Sequence, residues 1–336
     1  MIDDPLRRRR AIEPRNPRDG PHAHTPLGTG AEFDAISRMV ERWGPRARRI
    51  GDDAAVITTL GDRAFVISTD TSVENVHFRR EWLSPEEIGY RAAAAALSDL
   101  AAMGAKPLGL LAAIGLPVEW RASLDAIGDG IGDAAALSEA PIIGGDMSRA
   151  SELSITVTVI GTARDVLFRT AARPGDRVYV TGSLGGSQAA LRDLMAGREP
   201  DPAQRARFAH PIPRIPEAVW LSEHGATAAV DISDGLATDI AHMAAASRVR
   251  ITIDLETVPV MEGITPADAV ASGEEYEVVV TSPFDIDHDA FHEAFDLDLT
   301  PIGFVEQGAP EARFLLHGEQ VDVPSGYVHF DGDSGL

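Results

Sequence analysis

Apolar residues recur along this chain with two periods, one helical and one alternating. Phe33, Ile36, Met39 and Val40 fall at helical spacing and predict a helix over 32–43. Two apolar runs, 54–57 and 64–68, flank Leu60-Gly61-Asp62 and read as a hairpin-like pair. Ser84-Pro85-Glu86-Glu87 is a helix start, with a cap, a proline at the first position and Glu87 at the capping-box position. Consecutive alanines at 92–96 give that helix room for close backbone packing, and Gly104 is its stop. Leu153, Ile155, Val157 and Val159 alternate with Ser and Thr, as in a half-buried strand. Beyond a turn at Arg173-Pro174-Gly175-Asp176, strands are predicted at 177–181, 228–232 and 278–280, and helices at 188–195 and 236–247. Met39, Met103 and Met243 read as core filler. The succession predicts a mixed α/β fold of two domains, 28–164 and 165–336. Residues 1–27, rich in Arg, Pro and His, read as a disordered basic tail.

Composition narrows the class. The chain has 336 residues, 44% of them hydrophobic, enough for one large or two ordinary domains. A net charge of −22 argues against nucleic acid or an anionic membrane as the main partner. It leaves room for a small phosphorylated substrate, because metal ions reverse a local field. There is no cysteine, which removes disulfides, Cys-ligated zinc and a thiolate nucleophile and fits a reducing cytoplasm. Lys106 is the only lysine, and no Gly-x-x-x-x-Gly-Lys-Ser/Thr loop exists. No apolar run reaches the length of a membrane span, and no apolar segment follows Arg7 to Arg10 as a signal peptide requires.

The candidate chemistry lies in acids set among apolar and glycine residues. They are Asp52 and Asp53, Asp70, Asp99, Asp146, and the pair Asp231 and Asp234. A carboxylate near a core is costly unless something pairs with it, and few basic residues lie close by in sequence. Hard divalent cations with a phosphate ligand are the natural partner. Asp231 and Asp234 bracket Ser233 in a turn and can face one site, although Asp234 before Gly235-Leu236 is equally an ordinary helix cap. Gly182-Ser183-Leu184-Gly185-Gly186-Ser187 reads either as a phosphate cradle or as a plain strand-to-helix turn. His77 alone reads more readily as structural. Glu274 and Glu275, just before the strand at 278–280, are either a solvated turn or one site acid. No Ser-His-Asp arrangement and no Gly-x-Gly-x-x-Gly motif is present.

Taken in order, the motifs resemble the thiamine-monophosphate kinase family. They are Gly51-Asp-Asp-Ala-Ala, Ser68-Thr-Asp-Thr, Val76-His77-Phe78, Leu97-Ser-Asp-Leu-Ala-Ala-Met-Gly-Ala105 and Gly144-Gly-Asp146. Further on stand Arg173-Pro-Gly-Asp-Arg-Val-Tyr-Val-Thr-Gly182, Asp231-Ile-Ser-Asp-Gly235, Gly273-Glu-Glu-Tyr-Glu277 and Gly326-Tyr-Val-His-Phe330. The resemblance runs from about residue 30 to the C-terminus and implies the two-domain fold of the aminoimidazole ribonucleotide synthetase superfamily. It also implies a homodimer formed by the N-terminal domains, the nucleotide near that pairing, and Mg²⁺ and ATP as cofactor and co-substrate. By the same resemblance Asp53, Ser68, Thr69, Asp70, Asp99, Asp146, Asp231 and Asp234 form the magnesium shell, with Asp53, Asp99, Asp231 and Asp234 central to catalysis. Gly145, Asp146, Arg169 and Ser233 contact ATP, and His77, Glu274 and Tyr327 contact thiamine monophosphate. Met147, Glu74-Asn75 and Ser272 depart from the family's usual residues without removing a matched ligand. Selenophosphate synthetase and the hydrogenase-maturation carbamoyl dehydratase rely on a reactive Cys or Sec, absent here. Aminoimidazole ribonucleotide synthetase fits the Ser98-to-Ala105 and Glu274-to-Glu277 blocks less well. A non-catalytic metal or nucleotide sensor is disfavoured by the intact acid set.

Overall fold

The structure is a computed structural model that describes residues 24–26, 31–48, 50–324 and 326. Tyr327 and most of the predicted tail lie outside the described residues.

The N-terminal half forms a five-stranded sheet of β1 (Ala55–Leu60), β2 (Arg63–Val73), β3 (Lys106–Leu116), β4 (Ile142–Arg149) and β5 (Ser154–Ala163), in the order β1-β2-β5-β3-β4. Helices α1 (Ala31–Trp43), α2 (Pro85–Ala102) and α3 (Leu124–Leu137) accompany it. The C-terminal half forms a seven-stranded sheet of β6 (Arg177–Thr181), β7 (Ala228–Asp231), β8 (Arg250–Asp254), β9 (Val278–Ser282), β10 (Leu299–Glu306), β11 (Glu311–Leu316) and β12 (Glu319–Val321). Its order is β12-β11-β8-β10-β6-β9-β7. Helices α4 (Gly186–Met195), α5 (Pro202–Ala209), α6 (Ile215–Glu223), α7 (Leu236–Ser247), α8 (Pro266–Val270) and α9 (His288–Phe295) belong to this half. The predicted hairpin is the antiparallel β1–β2 pair.

Helix α2 is the element on which the halves meet. It packs on β2 and β5 on one side and on α6 and β7 on the other. Ser84 accepts from the Glu87 N–H while the Glu87 carboxylate accepts from the Ser84 N–H, so the capping box closes at the expected residues. The chain leaves the helix through Gly104 in the left-handed region (φ +62). All five alanines, 92–96, are buried. A Cβ on Gly130 of α3 would lie 1.8 Å from the Glu86 carbonyl oxygen, so α2 and α3 approach as closely as backbones can. Met103 and Met243 are fully buried core residues. Met39 is not: it is 48% exposed, because the outer face of α1 has no described neighbour to cover it.

The sheet of the N-terminal half has one covered and one open face. Val157 on the covered face is fully buried, whereas Thr69 pairs with Thr158 and Thr71 with Thr156 through hydroxyl contacts on the exposed face. Strand β4 is exposed over its whole length, including Ile142, Ile143 and Met147.

Candidate functional site

Three acids meet where α2 lies between the sheets. Asp53 precedes β1, Asp99 sits in the last turns of α2, and Asp231 ends β7. Their carboxylate oxygens lie within 4.8 Å of one another. Two serines fix two of the carboxylates. The Ser68 hydroxyl donates to Asp99 Oδ2 at 2.5 Å, and the Ser98 hydroxyl donates to Asp231 Oδ2 at 2.6 Å, across the two halves. Ser98 and Asp99 are adjacent on α2, so one helical turn presents one acid and anchors another.

The electrostatics of the cluster are strained. Burial pushes the Asp99 carboxyl well above the usual carboxylate range, and the charges of Asp231 and Asp53 push it the same way. Burial and then the Asp53 charge push Asp231 up to about 7. Asp52 is likewise pushed to about 7, by burial and then by Asp53. The cation that answers them comes from far along the chain. Arg169 Nε donates to Asp53 Oδ2 at 2.8 Å and its Nη2 pairs with Asp53 Oδ1, a two-pronged contact. Burial works against the Arg169 charge, but Asp53 beside it outweighs burial and keeps the guanidinium ionised. The Arg169 carbonyl accepts from Ser247 at the end of α7, and its N–H donates to Asp52.

The turn at 231–235 is built differently from a simple cap. N–H groups of Ser233, Asp234 and Gly235 all donate to Asp239 Oδ2, at 3.1–3.2 Å. Asp239, in the first turn of α7, therefore does the capping that Asp234 offers in sequence, and no side chain caps from the N-cap position itself. Asp234 groups with Asp239 and His242, again within 4.8 Å. Burial, followed by the Arg169 charge, pushes His242 down to about 4, so its ring is neutral at pH 7.

The glycine-rich turn before α4 is not a phosphate cradle here. The Gly185 and Ser187 N–H groups donate to Glu275 Oε1 at 2.9 and 3.1 Å, and Ser272 donates to the same oxygen at 2.5 Å. A fully buried carboxylate thus occupies the helix start that an anion would use. Ser272, a departure from the usual family residue, is a working part of that cap, since its hydroxyl also accepts from the Gln188 N–H.

Glu274 faces the other way. Asp70, Ser72, His77, Phe78, Arg91, Glu274 and Tyr276 line a small cleft of about 30 Å³. His77 Nδ1 accepts from the Val73 N–H at 3.1 Å, so the neutral ring carries its proton on Nε2. Glu274 pairs with Arg91 at 2.8 Å. Its loop is tied to the aspartate turn: the Glu274 N–H donates to the Ser233 carbonyl at 2.6 Å, and the Glu275 and Tyr276 N–H groups donate to the Ile232 carbonyl. Gly326 lies on the same turn, where a Cβ would come 1.8 Å from the Asp234 carbonyl oxygen.

Three sequence candidates stand apart from the cluster. The Thr69 side chain points to the open face and bonds Thr158, so only its main chain could serve the site. Asp146 pairs in register with Ala113, Ala113 with Thr156, and Thr156 with Thr71. Asp146 therefore shares the open face, opposite to Asp70, whose row runs through Val157 and Ala112 to Gly145. The separation across that row is roughly 14 Å, three interstrand steps of about 4.8 Å. Arg91, Ser98, Asp239 and Tyr276 belong to the site and were missed in sequence. Asp239 left one signal, an acid in the first turn of an apolar helix.

Comparison with known proteins agrees with this architecture. The family model for AIR synthase related protein, N-terminal domain, matches residues 51–163, and that for the C-terminal domain matches residues 173–314. The chain is 34% identical to thiamine-monophosphate kinase of Bacillus subtilis (strain 168) over 89% of this chain and 99% of that protein. It is similar to the solved structure of AaThiL complexed with AMPPCP and TMP, with a TM-score of 0.78 and 30% identity over 89% of this chain and 97% of that one. It is also similar to thiamine-monophosphate kinase from Stenotrophomonas maltophilia K279a, with a TM-score of 0.70 and 33% identity over 87% and 98% of the two chains. With two matched domains, a shared fold and this identity over most of its length, the chain belongs to the thiamine-monophosphate kinase family of AIR synthase related proteins.

Proposed function

We propose that this protein transfers the γ-phosphoryl group of ATP directly to thiamine monophosphate, giving ADP and thiamine diphosphate. The observation that carries this reading is the meeting of Asp53, Asp99 and Asp231, with Asp70, whose charge acts on Asp99, lining a cleft together with Glu274. Magnesium fits the donor set. The buried carboxylates raise one another's pKa, the Ser68 hydroxyl adds a hard oxygen, and no soft ligand belongs to that trio. Asp53, Ser68, Asp70, Asp99, Asp231 and Asp234 would hold it, with Thr69 contributing through its carbonyl. When bound, Mg²⁺ offsets the repulsion between two polyanions and the charge developing on the transferring group.

The chain's own residues do the rest. The acceptor phosphate has a second pKa of about 6 and is mostly dianionic at neutral pH, so no general base is needed. Positioning and charge stabilisation remain. Arg169 exchanges Asp53 for the nucleotide phosphates, a trade its fork suits. Ser233 joins the nucleotide side. His77, Glu274 and Tyr327 take the thiamine side.

The N-terminal domain, 28–164, also pairs with a second copy through the open face of its sheet. The exposed β4 with Ile142, Ile143 and Met147 supports this, and so does the position of Asp146. Gly145 and Asp146 cannot reach their own chain's cluster across the sheet and would serve the partner's. Domain 165–336 completes the substrate site, and the reaction belongs to the cytoplasm. The test is product analysis: with Mg²⁺, ATP and thiamine monophosphate, ADP and thiamine diphosphate should form in equal amounts. ADP formed without thiamine diphosphate would overturn the reading.

A further inference from the structure

We infer that Arg91 is a positioning residue for substrate choice: it holds the Glu274 carboxylate in place for the cationic, organic end of the substrate. The inference rests on the kinase reading above. Arg91 is buried on α2, and its guanidinium is fixed from three directions. Its Nη2 lies 2.8 Å from Glu274 Oε1, its Nη1 donates to the Phe208 carbonyl, and its plane sits 4.2 Å over the Phe208 ring. Phe208, on α5, is itself fully buried, so the restraint is anchored in the core.

Glu274 needs such an anchor. It sits in the left-handed region (φ +55), held by its N–H on Ser233, yet its side chain is 30% exposed to the cleft. A partly exposed carboxylate has several rotamers, and fixing one costs side-chain entropy that a rigid partner removes in advance. With Oε1 committed to Arg91, Oε2 is the acceptor offered to the substrate. A bare arginine in this cleft would repel a thiazolium; paired with Glu274 it does not, and the carboxylate stands between the two cations.

Position along α2 adds a second argument. Asp99 of the acid cluster lies eight residues beyond Arg91 on the same helix. At about 1.5 Å per residue that is roughly 12 Å, of the order of the reach from phosphate to pyrimidine in an extended thiamine phosphate. One rigid helix thus sets the distance between the phosphoryl end and the organic end.

The test is a double-mutant cycle on the full-length protein with Arg91→Met, Glu274→Gln and the double variant, plus Arg91→Lys. Each substrate is titrated with the other saturating. Arg91→Met should raise the KM for thiamine monophosphate about tenfold or more and move the KM for ATP less than about twofold. Adding Glu274→Gln to Arg91→Met should change the KM little further, because both act through one contact. Arg91→Lys should recover part of the loss. Multiplicative effects in the cycle, a parallel rise in the KM for ATP, or an unchanged KM for thiamine monophosphate would each overturn the inference. If Arg91→Met does not fold, Arg91→Lys and direct calorimetric titration of thiamine monophosphate decide by the same criteria. A wild-type protein that makes no thiamine diphosphate fails the kinase reading itself, which separates the two outcomes.

Discussion

At the scale of residues, the acid cluster is a store of electrostatic conflict. Asp231 shows its sign most clearly, since burial and then Asp53 push its carboxyl to about 7. An acid whose folded pKa is raised above the unfolded value of about 3.9 binds its proton more tightly when folded. That contribution to stability is complete below about pH 4 and is lost as pH rises through about 7. In chelator, the wild-type urea midpoint should therefore fall between about pH 4 and pH 7, and Asp231→Asn should flatten that fall. His242 works in the opposite sense: held down to about 4, it withdraws stability as pH drops below its ordinary 6.5. Mg²⁺ should steady the wild type at the upper pH and release protons on binding. Asp231→Asn should also cost about 10²-fold or more in transfer rate. An Asn variant with the wild-type pH slope would show that the Asp231 carboxyl is not held up by its neighbours.

At the scale of elements, local patterning was legible and long-range pairing was not. The start of α2, the β1–β2 hairpin, β6 and the whole of α7 follow from caps, turns and periodicity that act within a few residues. The acids of the site were also legible, because a carboxylate among Ala, Val and Gly stands out in a sequence. Their pairings with cations were not, even though Arg169 was expected on the nucleotide side. Arg169 reaches Asp53 from 116 residues away, and Arg91 meets Phe208 from 117 away. Nothing in the local sequence of Arg91, flanked by Tyr90 and a run of alanines, distinguishes it from a solvated helix arginine. The glycine-rich turn before α4 shows the reverse failure. Its pattern permits an anion site, but the anion is Glu275 of the chain itself, some 90 residues on. Met39 failed for a third reason: helical spacing reports a face, not whether something covers it.

At the scale of the whole molecule, one chain does not gather every predicted ligand. Asp146 lies on the open sheet face, while Asp53, Asp99 and Asp231 lie at the junction of the halves. The proposed homodimer on that face would resolve the separation, and it has a distinctive consequence. Asp99→Asn and Asp146→Asn should each lose most of the activity alone. Mixed after co-expression or subunit exchange, they should regain part of the activity, because one site of each hybrid then carries neither change. Failure to complement in hybrids shown to have formed would place both acids in one chain's site.

The central claim is direct transfer from ATP to thiamine monophosphate at the aspartate cluster, with no intermediate on the protein. A rapid-quench single turnover with γ-³²P-labelled ATP tests it most directly. The label should pass from ATP to the terminal phosphate of thiamine diphosphate in one phase, with none on precipitated protein, and Asp99→Asn should slow that phase without abolishing ATP binding. Label on the protein, or label released as inorganic phosphate before thiamine diphosphate forms, would contradict the account.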